Sequence, residues 1–443
     1  MTARVSPPAK ISPARRAAYD VLFVIETERA FSSVLLPEFE ADLSPLDRGL
    51  CHELVLGVLR HQIKFDRLLH ELTDRRKLDI EVRVILRLGL FQLLYLERIP
   101  AHAAVNDAVA LVARAKKSSA RGLVNAVLRK ATRGLPELTC ADDLDRVSVE
   151  TSHPRWLIER WADELGFTDA VKIAEANNRV PHVAFRKTYK GRDVEIDKNY
   201  RASEFVDGCF IADSFDSELR RLAENGEIYF QDEASQLVAA SVKLVAGESF
   251  LDVCAAPGGK TTAIVGEAPF RNPEKQKALL VAGDITDRRV HLLRETCIRQ
   301  GLANIEIVRY DASVALPFAD RSFDCILVDA PCTGTGTIRH NPEIRYFLES
   351  SDVGRMQKIQ LAILANAAHV VRPGGRLIYS TCSLERDENE SVCKQFLSAN
   401  GNLRIVKPNV PDRFVTADTF ARTFPHRDKT DGFFIAAFIK SEP

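Results

Sequence analysis

The stretch that decides the fold is residues 251–262, LDVCAAPGGKTT, in the C-terminal half of the chain. Its first residues continue an apolar run from Phe250, as expected of a short strand that is buried on both faces. Small residues and two glycines then form a tight turn, and Lys260 can begin a helix. This succession is typical of an α/β sheet that binds a ligand at the carboxyl ends of its strands.

The alternation of strand and helix continues to the end of the chain. Short runs rich in Val, Ile and Leu predict buried parallel strands, with helical patterns near 286–300 and 355–371 between them. We expect Pro373-Gly374-Gly375 to close the second of these helices. The pattern predicts a doubly wound α/β sheet. The predicted strands are 250–253, 279–282, 305–308, 325–328, 377–380 and 433–439.

The first 135 residues predict helices only. Ser44-Pro45 reads as the start of a helix, because a capping residue precedes a proline at the first helical position. Leu50, Leu54 and Val58 then recur on one face. Short connections between such segments predict an all-helical bundle.

The character of the sequence changes twice more before the α/β region. Residues 136–150 are acidic, lack clear periodicity and are expected to form a linker. Residues 151–235 mix helical and strand-like patterns and predict a small α+β module. The predicted domains are therefore 1–135, 136–150, 151–235 and 236–443.

Composition limits the class of protein. The 443 residues carry 61 Lys and Arg against 61 Asp and Glu, so the whole chain has no net pull toward nucleic acid. No apolar stretch approaches the roughly 18–20 residues of a membrane span, and residues 1–16 lack the apolar core of a signal peptide. None of the nine cysteines forms a C-x-x-C pair, so neither a zinc ribbon nor another metal site is expected. We therefore expect a cytoplasmic protein with reduced thiols and no membrane partner.

Charge is nevertheless uneven along the chain. Residues 1–135 carry 22 Lys and Arg against 15 Asp and Glu. Within residues 98–133, eight basic residues face a single acid, Asp107. Such a stretch is either a face that binds a phosphate backbone or a solvated helix face, and charge alone does not decide between them.

The glycine-bearing turn matches neither common phosphate-binding motif. A Walker A loop would need a glycine at Cys254, and the dinucleotide fingerprint G-x-G-x-x-G is absent. S-adenosylmethionine, a nucleoside whose polar end is a zwitterion, suits the turn better. Three carboxylates follow successive predicted strands, where they could contact ribose, adenine and the reacting base. The candidate cofactor-binding residues are Cys254, Ala255, Ala256, Pro257, Gly258, Gly259, Lys260, Asp284, Asp311 and Asp329.

Two cysteines also follow predicted strands of the same sheet. Cys332 lies in the turn DAPCTGTG and Cys382 in STCS. Each alone could be a buried structural thiol, but both stand where the ligand crevice of the sheet is expected. A thiolate beside a methyl donor suits methylation of carbon 5 of a pyrimidine, because its addition at carbon 6 makes carbon 5 nucleophilic. Asp329 could stabilise the protonated cytosine ring.

Together these motifs resemble the RNA cytosine-5 methyltransferases of the Nol/Nop/Sun group. CAAPGGK at 254–260, DAPCTGTG at 329–336 and STCS at 380–383 carry the resemblance. The helical region, with LVNAVLR at 123–129, resembles the NusB-like RNA-binding domain. The combination is similar to the bacterial Sun/Fmu type. The segments 230–236, 425–427 and 430–434 are also similar to segments of this group.

The resemblance implies a fold and a chemistry. It implies a class I, Rossmann-like methyltransferase domain that uses S-adenosylmethionine and methylates a cytosine of small-subunit (16S) ribosomal RNA, free or in a pre-ribosomal particle. It implies that Cys382 is the nucleophile and that Cys332 assists product release. Two alternatives stay open: a transfer RNA substrate, and a non-catalytic RNA-binding assembly factor. Candidates for contacting nucleotides near the target are Arg339, Asn341 and Arg345.

Overall fold

The computed structural model describes residues 11–267 and 278–442. The start of the basic N-terminal stretch, residues 1–10, lies outside the described residues. The chain divides into two compact units. The N-terminal unit comprises residues 11–178 together with His340–Leu348, and the C-terminal unit comprises the remaining described residues.

Every regular element described in the N-terminal unit is helical. Ser44 caps helix α3, Pro45–Arg60, by accepting a hydrogen bond from the Asp47 amide, with Pro45 at the first helical position, as the sequence predicted. Leu54 and Val58 of this helix are buried in one core shared by the helices. The helices are α1 Pro13–Glu28, α2 Ser32–Phe39, α3 Pro45–Arg60, α4 Gln62–Leu72, α5 Ile80–Tyr95, α6 Ala101–Arg114, α7 Arg121–Ala131, α8 Asp143–Thr151, α9 Arg155–Leu165 and α10 Phe167–Asn177.

Helix α8 occupies much of the stretch 136–150, for which the sequence indicated no regular structure. Its N-cap is Asp142, whose carboxylate accepts a hydrogen bond from the Asp145 amide. Val147 and Val149 are buried. The helix is short and strongly charged, so local capping and two buried valines stabilise it without a long apolar stripe.

The C-terminal unit contains two sheets. Its elements are β1 Val183–Lys187, β2 Arg201–Ala202, β3 Cys209–Ala212, α11 Ser217–Glu224, β4 Ile228–Phe230, α12 Glu233–Val242, β5 Phe250–Asp252, α13 Gly259–Glu267, β6 Leu280–Asp284, α14 Asp287–Arg299, β7 Glu306–Arg309, β8 Phe323–Asp329, α16 Ser350–Val370, β9 Val371–Thr381, α17 Glu390–Ala399, β10 Leu403–Val406, β11 Ala421–Arg422, α18 Pro425–Asp428 and β12 Phe434–Lys440; α15, Ile344–Phe347, belongs to the N-terminal unit.

The large sheet is doubly wound, as predicted. Its strand order is β10-β12-β9-β8-β5-β6-β7, with β11 paired to β12. Strands β5 to β9 pair in parallel, and β12 runs antiparallel to β9. Alternate residues of the central strands enter two cores, so Phe250 and Leu327 face one side while Leu251 and Val328 face the other. Helices cover both faces, which explains the continuous apolar runs in the sequence.

The predicted helix ends just before residues 373–375, as expected, and these residues lie in the strand that follows it. Helix α16 ends at Val370, and strand β9 begins at the next residue and includes the Pro-Gly-Gly sequence. The pairing with β8 is irregular here, between Phe323 and Cys325, and Gly374 has a φ of 75°. Proline and glycine are tolerated in this strand because they occupy a bulge.

The small antiparallel sheet has the order β2-β3-β1-β4. It supports the cofactor loop predicted from the sequence through Arg186 of β1, which is buried. The Arg186 guanidinium donates hydrogen bonds to the Gly259 carbonyl at 2.9 Å and to Thr262 Oγ1 at 2.8 Å. It also lies over the ring of Tyr229. No sequence motif marked this arginine, because its partners are distant in the chain.

A buried histidine makes the N-terminal unit sensitive to acid. His153 is fully buried, with Nδ1 2.9 Å from the Thr151 carbonyl, and burial and the nearby Arg345 guanidinium lower its pKa well below 6.5. The unfolded chain takes up this proton near pH 6.5 and the folded chain does not. We therefore expect the free energy of unfolding to fall by up to about 1.4 kcal/mol per pH unit below about pH 6.5.

Denaturant titrations at pH 7.5 and 5.5 test this expectation. Both tryptophans of the chain, Trp156 and Trp161, lie on α9, so their fluorescence reports on this unit. His153→Asn should reduce the difference between the two pH values. An equal difference in both proteins would contradict the assignment to His153.

Candidate active site

The loop between β5 and α13 is closely packed against neighbouring elements. Gly258 has a φ of 104°, and a Cβ there would lie 2.9 Å from Leu293 Cδ1. A Cβ on Gly259 would lie 2.8 Å from the Tyr229 ring. The first amides of α13 carry the unpaired N–H groups of a helix N-terminus. The two glycines are therefore required by packing against α14 and Tyr229, and this packing fixes the start of α13, whose first amides suit a carboxylate.

Substitution of Gly258 should disrupt this loop. Gly258→Ala forces a side chain into the left-handed region and against Leu293, so we expect at least about a tenfold loss of S-adenosylmethionine affinity and about 1–3 kcal/mol of stability. Gly266→Ala on the same helix is the control, because its Cβ would make only ordinary contacts, the nearest at 3.7 Å. Calorimetry and thermal unfolding measure both effects. Unchanged affinity in Gly258→Ala would contradict the role of the loop.

Asp284 ends β6 next to this loop. Its carboxylate accepts hydrogen bonds from the amides of Ala256 and Ile285, at 2.9 and 2.8 Å. It also forms an ion pair with Arg289, 2.6 Å from Oδ1. Because these donors occupy its acceptor positions, a ribose hydroxyl could bind only if Arg289 turned away. The Arg289 side chain is 51% exposed, and it also donates to the Ala256 carbonyl at 3.0 Å.

Asp311 follows β7 and is partly buried. Its Oδ1 accepts hydrogen bonds from the amide and hydroxyl of Ser313, at 2.9 and 2.6 Å. Among the described residues, no donor contacts Oδ2. This oxygen is therefore available to accept a hydrogen bond from an amino group.

The two candidate cysteines lie side by side. Cys332 follows β8 and Cys382 follows β9, which are neighbouring parallel strands. The Ala330 amide donates to the Ser380 carbonyl and the Gly336 amide to the Cys382 carbonyl, both at 2.9 Å. Cys332 Sγ lies 3.3 Å from Cys382 Sγ, and both are free thiols. The sequence predicts a strand end before each cysteine, and the pairing of β8 with β9 brings the two cysteines together.

A lysine and a carboxylate lie beside the thiol pair. Lys260 Nζ lies 2.8 Å from Asp329 Oδ2, and Ser380 Oγ donates to Asp329 Oδ1 at 2.7 Å. The ammonium also lies 4.9 Å from the centre of the Phe433 ring. Lys260 was predicted from the sequence as a cofactor contact, whereas here its contacts are with Asp329 and Phe433.

The electrostatic environment differs between these groups. The pKa of Lys260 is raised although burial acts to lower it, because Asp329 and the Cys382 sulfur favour the ammonium. The pKa of Cys332 is raised well above its usual value by the hydrogen bond with Cys382, by burial and by the charge of nearby Glu388. The raised pKa of Cys332 favours a neutral thiol at this position.

Two of the three predicted nucleotide contacts are wrong. Arg339 is buried, with ion pairs to Asp232 at 2.6 Å and Asp431 at 2.7 Å. Arg345 is fully buried in the N-terminal unit and donates to the Thr151 carbonyl at 3.1 Å. Both arginines have structural roles, which a basic residue near a catalytic motif does not reveal in the sequence.

The fold and the site define a class I, Rossmann-like methyltransferase. A family model described as 16S rRNA methyltransferase RsmB/F matches residues 239–439, and the NusB family model matches residues 12–133. The chain belongs to the RsmB/F family of 16S rRNA methyltransferases. The resemblance to the Nol/Nop/Sun group and the NusB-like domain predicted from the sequence are confirmed.

Relatives cover nearly the whole chain. A "Probable ribosomal RNA small subunit methyltransferase B" of Bacillus subtilis is 34% identical over 97% of this chain and 99% of its own. The "Ribosomal RNA small subunit methyltransferase B" of Pseudomonas putida is 34% identical over 88% of this chain and 90% of its own. Among solved structures, PH0851 has a TM-score of 0.82 and 25% identity, covering 98% of this chain and 100% of its own. NSun6 from Pyrococcus horikoshii with SFG, at 21% identity over 66% of this chain and 99% of its own, has a TM-score of 0.52 and shares the fold.

Proposed function

We propose that this protein transfers a methyl group from S-adenosylmethionine to carbon 5 of a cytosine in 16S ribosomal RNA, through a covalent bond between Cys382 and the base. The observation that carries the proposal is the 3.3 Å approach of Cys332 and Cys382 beside the Lys260–Asp329 ion pair. One thiol can attack while the second assists release. The family relationship supports the same reaction.

The chemistry requires a nucleophile because carbon 5 of cytosine is unreactive. The Cys382 thiolate adds to carbon 6, and the electrons of the 5,6 double bond make carbon 5 nucleophilic. S-adenosylmethionine, when bound, supplies the methyl group that carbon 5 accepts. A base then removes the carbon 5 proton, and the C6–S bond breaks to restore the double bond and free Cys382.

The neighbouring groups have distinct roles in this proposal. The Lys260 ammonium pairs with Asp329, which stabilises the protonated cytosine ring. Cys332 stays protonated because of its raised pKa, so it does not compete for carbon 6, and it donates its proton to the Cys382 sulfur 3.3 Å away as the C6–S bond breaks.

The residues fit the cofactor. In the proposal, residues Cys254–Lys260 form its loop, with the Gly259 amide toward its carboxylate, because the Gly258 amide donates to the Ala255 carbonyl at 2.7 Å. Asp284 binds the ribose after exchange with Arg289, and Asp311 accepts from the adenine amino group. The helix N-terminus that begins at Gly259 supports this placement, because its first amides lack partners within the helix.

RNA binding is assigned to the N-terminal unit. Of the eight basic residues within 98–133, Arg114, Lys117 and Lys130 form ion pairs with acids of this unit. The other five basic residues form no ion pair with any residue that the structure describes. These five, which can contact phosphates, are Arg98, Lys116, Arg121, Arg129 and Arg133.

A pair of adjacent lysines tests this assignment. Lys116 is exposed and has no acidic partner among the described residues, whereas Lys117 lies 2.8 Å from Asp79 and 3.5 Å from Glu81. Lys116→Asn should reduce the slope of log affinity against log salt by about one, because one phosphate contact is lost. Lys117→Asn should reduce it less. Asparagine suits the positive φ of Lys116. Equal slopes in Lys116→Asn and the unchanged protein would contradict the assignment.

The proposed function also assigns roles to regions of the chain and a place in which the protein acts. We propose that residues 1–135 are the RNA-binding region and residues 236–443 the catalytic region, with 136–150 as the connection; the stretch 151–235 is divided between the two compact units after Asn178. The substrate is 16S ribosomal RNA, free or within a pre-ribosomal particle, and a ribosomal substrate requires the protein to act in the cytoplasm. None of the helices in the described ranges is long and apolar enough to cross a membrane.

Label transfer tests the reaction and the substrate together. The protein is incubated with methyl-labelled S-adenosylmethionine and unmodified 16S ribosomal RNA, small-subunit particles or transfer RNA, and the labelled nucleoside is identified after digestion. Label in 5-methylcytosine from ribosomal RNA or particles is expected. If label appeared only in transfer RNA, transfer RNA would be the substrate instead of ribosomal RNA. If no RNA were labelled although the cofactor bound, the protein would be better described as a non-catalytic assembly factor.

A further inference from the structure

A buried carboxylate connects the two cysteine loops. Glu388 follows the Cys382 loop and is fully buried. Its Oε2 accepts hydrogen bonds from the Thr333 amide and from Gln360 Nε2, both at 2.9 Å. Its Oε1 accepts from Ser383 Oγ at 2.6 Å and from Thr333 Oγ1. The carboxylate thus has donors on both oxygens.

The partners of Glu388 are the residues that directly follow the cysteines. Thr333 follows Cys332, and Ser383 follows Cys382. One carboxylate therefore connects the two loops one residue beyond each thiol. Burial raises the pKa of Glu388, and the four hydrogen bonds oppose that shift. Such a connection restricts how far the two sulfurs can separate.

The two thiols depend on Glu388 to different degrees. Cys382 directly follows a strand paired on both sides, and its carbonyl accepts a hydrogen bond from the Gly336 amide. Cys332 lies in a loop, and the next residue, Thr333, directs both its amide and its hydroxyl at Glu388. Loss of the carboxylate should therefore displace Cys332 more than Cys382.

We propose that Glu388 is a positioning residue that holds the Cys332 thiol against Cys382 and thereby sets the rate of product release. The proposal rests on the proposed function, in which Cys332 serves release and Cys382 serves attack. Glu388 contacts no reacting atom, so its effect passes through Thr333 and Cys332.

Substitutions separate positioning by hydrogen bonds from an effect of charge. In Glu388→Gln, the amide oxygen can accept from the Thr333 amide and Gln360, while its NH₂ group donates to the two hydroxyls, which can rotate to accept. Glu388→Ala removes all of these bonds. Thr333→Val removes the hydroxyl bond to Glu388 on the Cys332 side, and Ser383→Ala removes the one on the Cys382 side. Both also lose the 3.1 Å contact between the two hydroxyls, and Ser383→Ala loses the bond from the Glu385 amide as well.

The kinetic test compares one turnover with many. In Glu388→Ala, methyl transfer in the first turnover should stay within about threefold, while steady-state turnover falls by about tenfold to 100-fold and a covalent protein–RNA adduct accumulates on a denaturing gel. Glu388→Gln should restore release, and Thr333→Val should give a weaker form of the same defect. Glu390→Ala is the control, because Glu390 pairs with Arg422. The proposal would be overturned if Glu388→Ala slowed methyl transfer in the first turnover as much as it slowed product release. It would also be overturned if Glu388→Gln were as defective in release as Glu388→Ala.

A thiol assay without RNA distinguishes failure of this proposal from failure of the proposed function. Diamide oxidises two neighbouring thiols to a disulfide by taking up their two electrons and two protons. The unchanged protein should form the Cys332–Cys382 disulfide readily, Glu388→Gln at a similar rate, and Glu388→Ala about tenfold more slowly, because an orienting contact is lost. Equal rates in all three would overturn the positioning role even if the RNA reaction proceeds as proposed. If Glu388→Ala fails to fold, Thr333→Val, which should be slower than Ser383→Ala, decides the outcome.

Discussion

Cys332→Ala should leave the RNA covalently attached to the protein. The attacking thiol, Cys382, is unchanged, so the bond to carbon 6 forms and carbon 5 is methylated. The thiol that lies 3.3 Å away and serves release is missing. We expect steady-state turnover to fall by at least about 100-fold, the range attributed to a positioned proton-transfer group. We also expect most of the protein to be present as the covalent adduct.

A denaturing gel with labelled RNA measures this adduct. Cys140→Ala is the matched control, because it removes a partly buried thiol of the N-terminal unit. The double variant Cys332→Ala/Cys382→Ala should form no adduct. An adduct in the double variant, or one that appears only when Cys382 is replaced, would assign the attack to a different cysteine.

Cys382→Ala should abolish methyl transfer. Among the described residues, Cys332 is the one thiol beside this position, and burial and the charge of Glu388, which raise its pKa and persist in the variant, keep it protonated. We expect a loss of at least about 10 000-fold in turnover, as when the nucleophile of another covalent enzyme is removed. Affinity for S-adenosylmethionine and for RNA should remain within about twofold, since Cys382 is assigned to neither binding site.

Single-turnover label transfer and equilibrium binding separate these effects. Cys382→Ser is the closest variant in size, and it should be nearly as inactive, because a serine hydroxyl stays protonated without a general base. Residual transfer within about tenfold of the unchanged protein would show that Cys382 is not the nucleophile.

The sequence predicted the fold where local pattern and burial agree. Strands β5, β6 and β8 are continuous apolar runs because both of their faces are covered, and the turn at Gly258 and Gly259 marks the ligand-binding edge. Helix α8 was missed because its charged sequence is stabilised by an N-cap and only a few buried residues. The end of α16 before Pro373 was predictable, but pattern alone does not reveal that Pro373 lies in an irregular part of strand β9.

The candidate site could be predicted as residue types at strand ends but not as distances. Strand order brings Cys332 and Cys382 together, and pairing between strands is not encoded locally. Long-range packing also explains why Arg345 was wrongly predicted to contact a nucleotide, since the sequence around a basic residue is the same whether the side chain is exposed or buried. Glu388 gave no signal in the sequence because its role lies in partners 5, 28 and 55 positions away.

The most direct test of the account is to identify the cysteine that bonds to the base. RNA containing 5-fluorocytosine traps the adduct, because after methyl transfer carbon 5 has no proton to lose and the C6–S bond cannot break by elimination. The adduct is digested with protease and nuclease and the modified peptide is identified by mass spectrometry. We predict a methylated fluorocytosine attached to Cys382. Attachment to Cys332, or no adduct under conditions in which both S-adenosylmethionine and the RNA bind, would contradict the account.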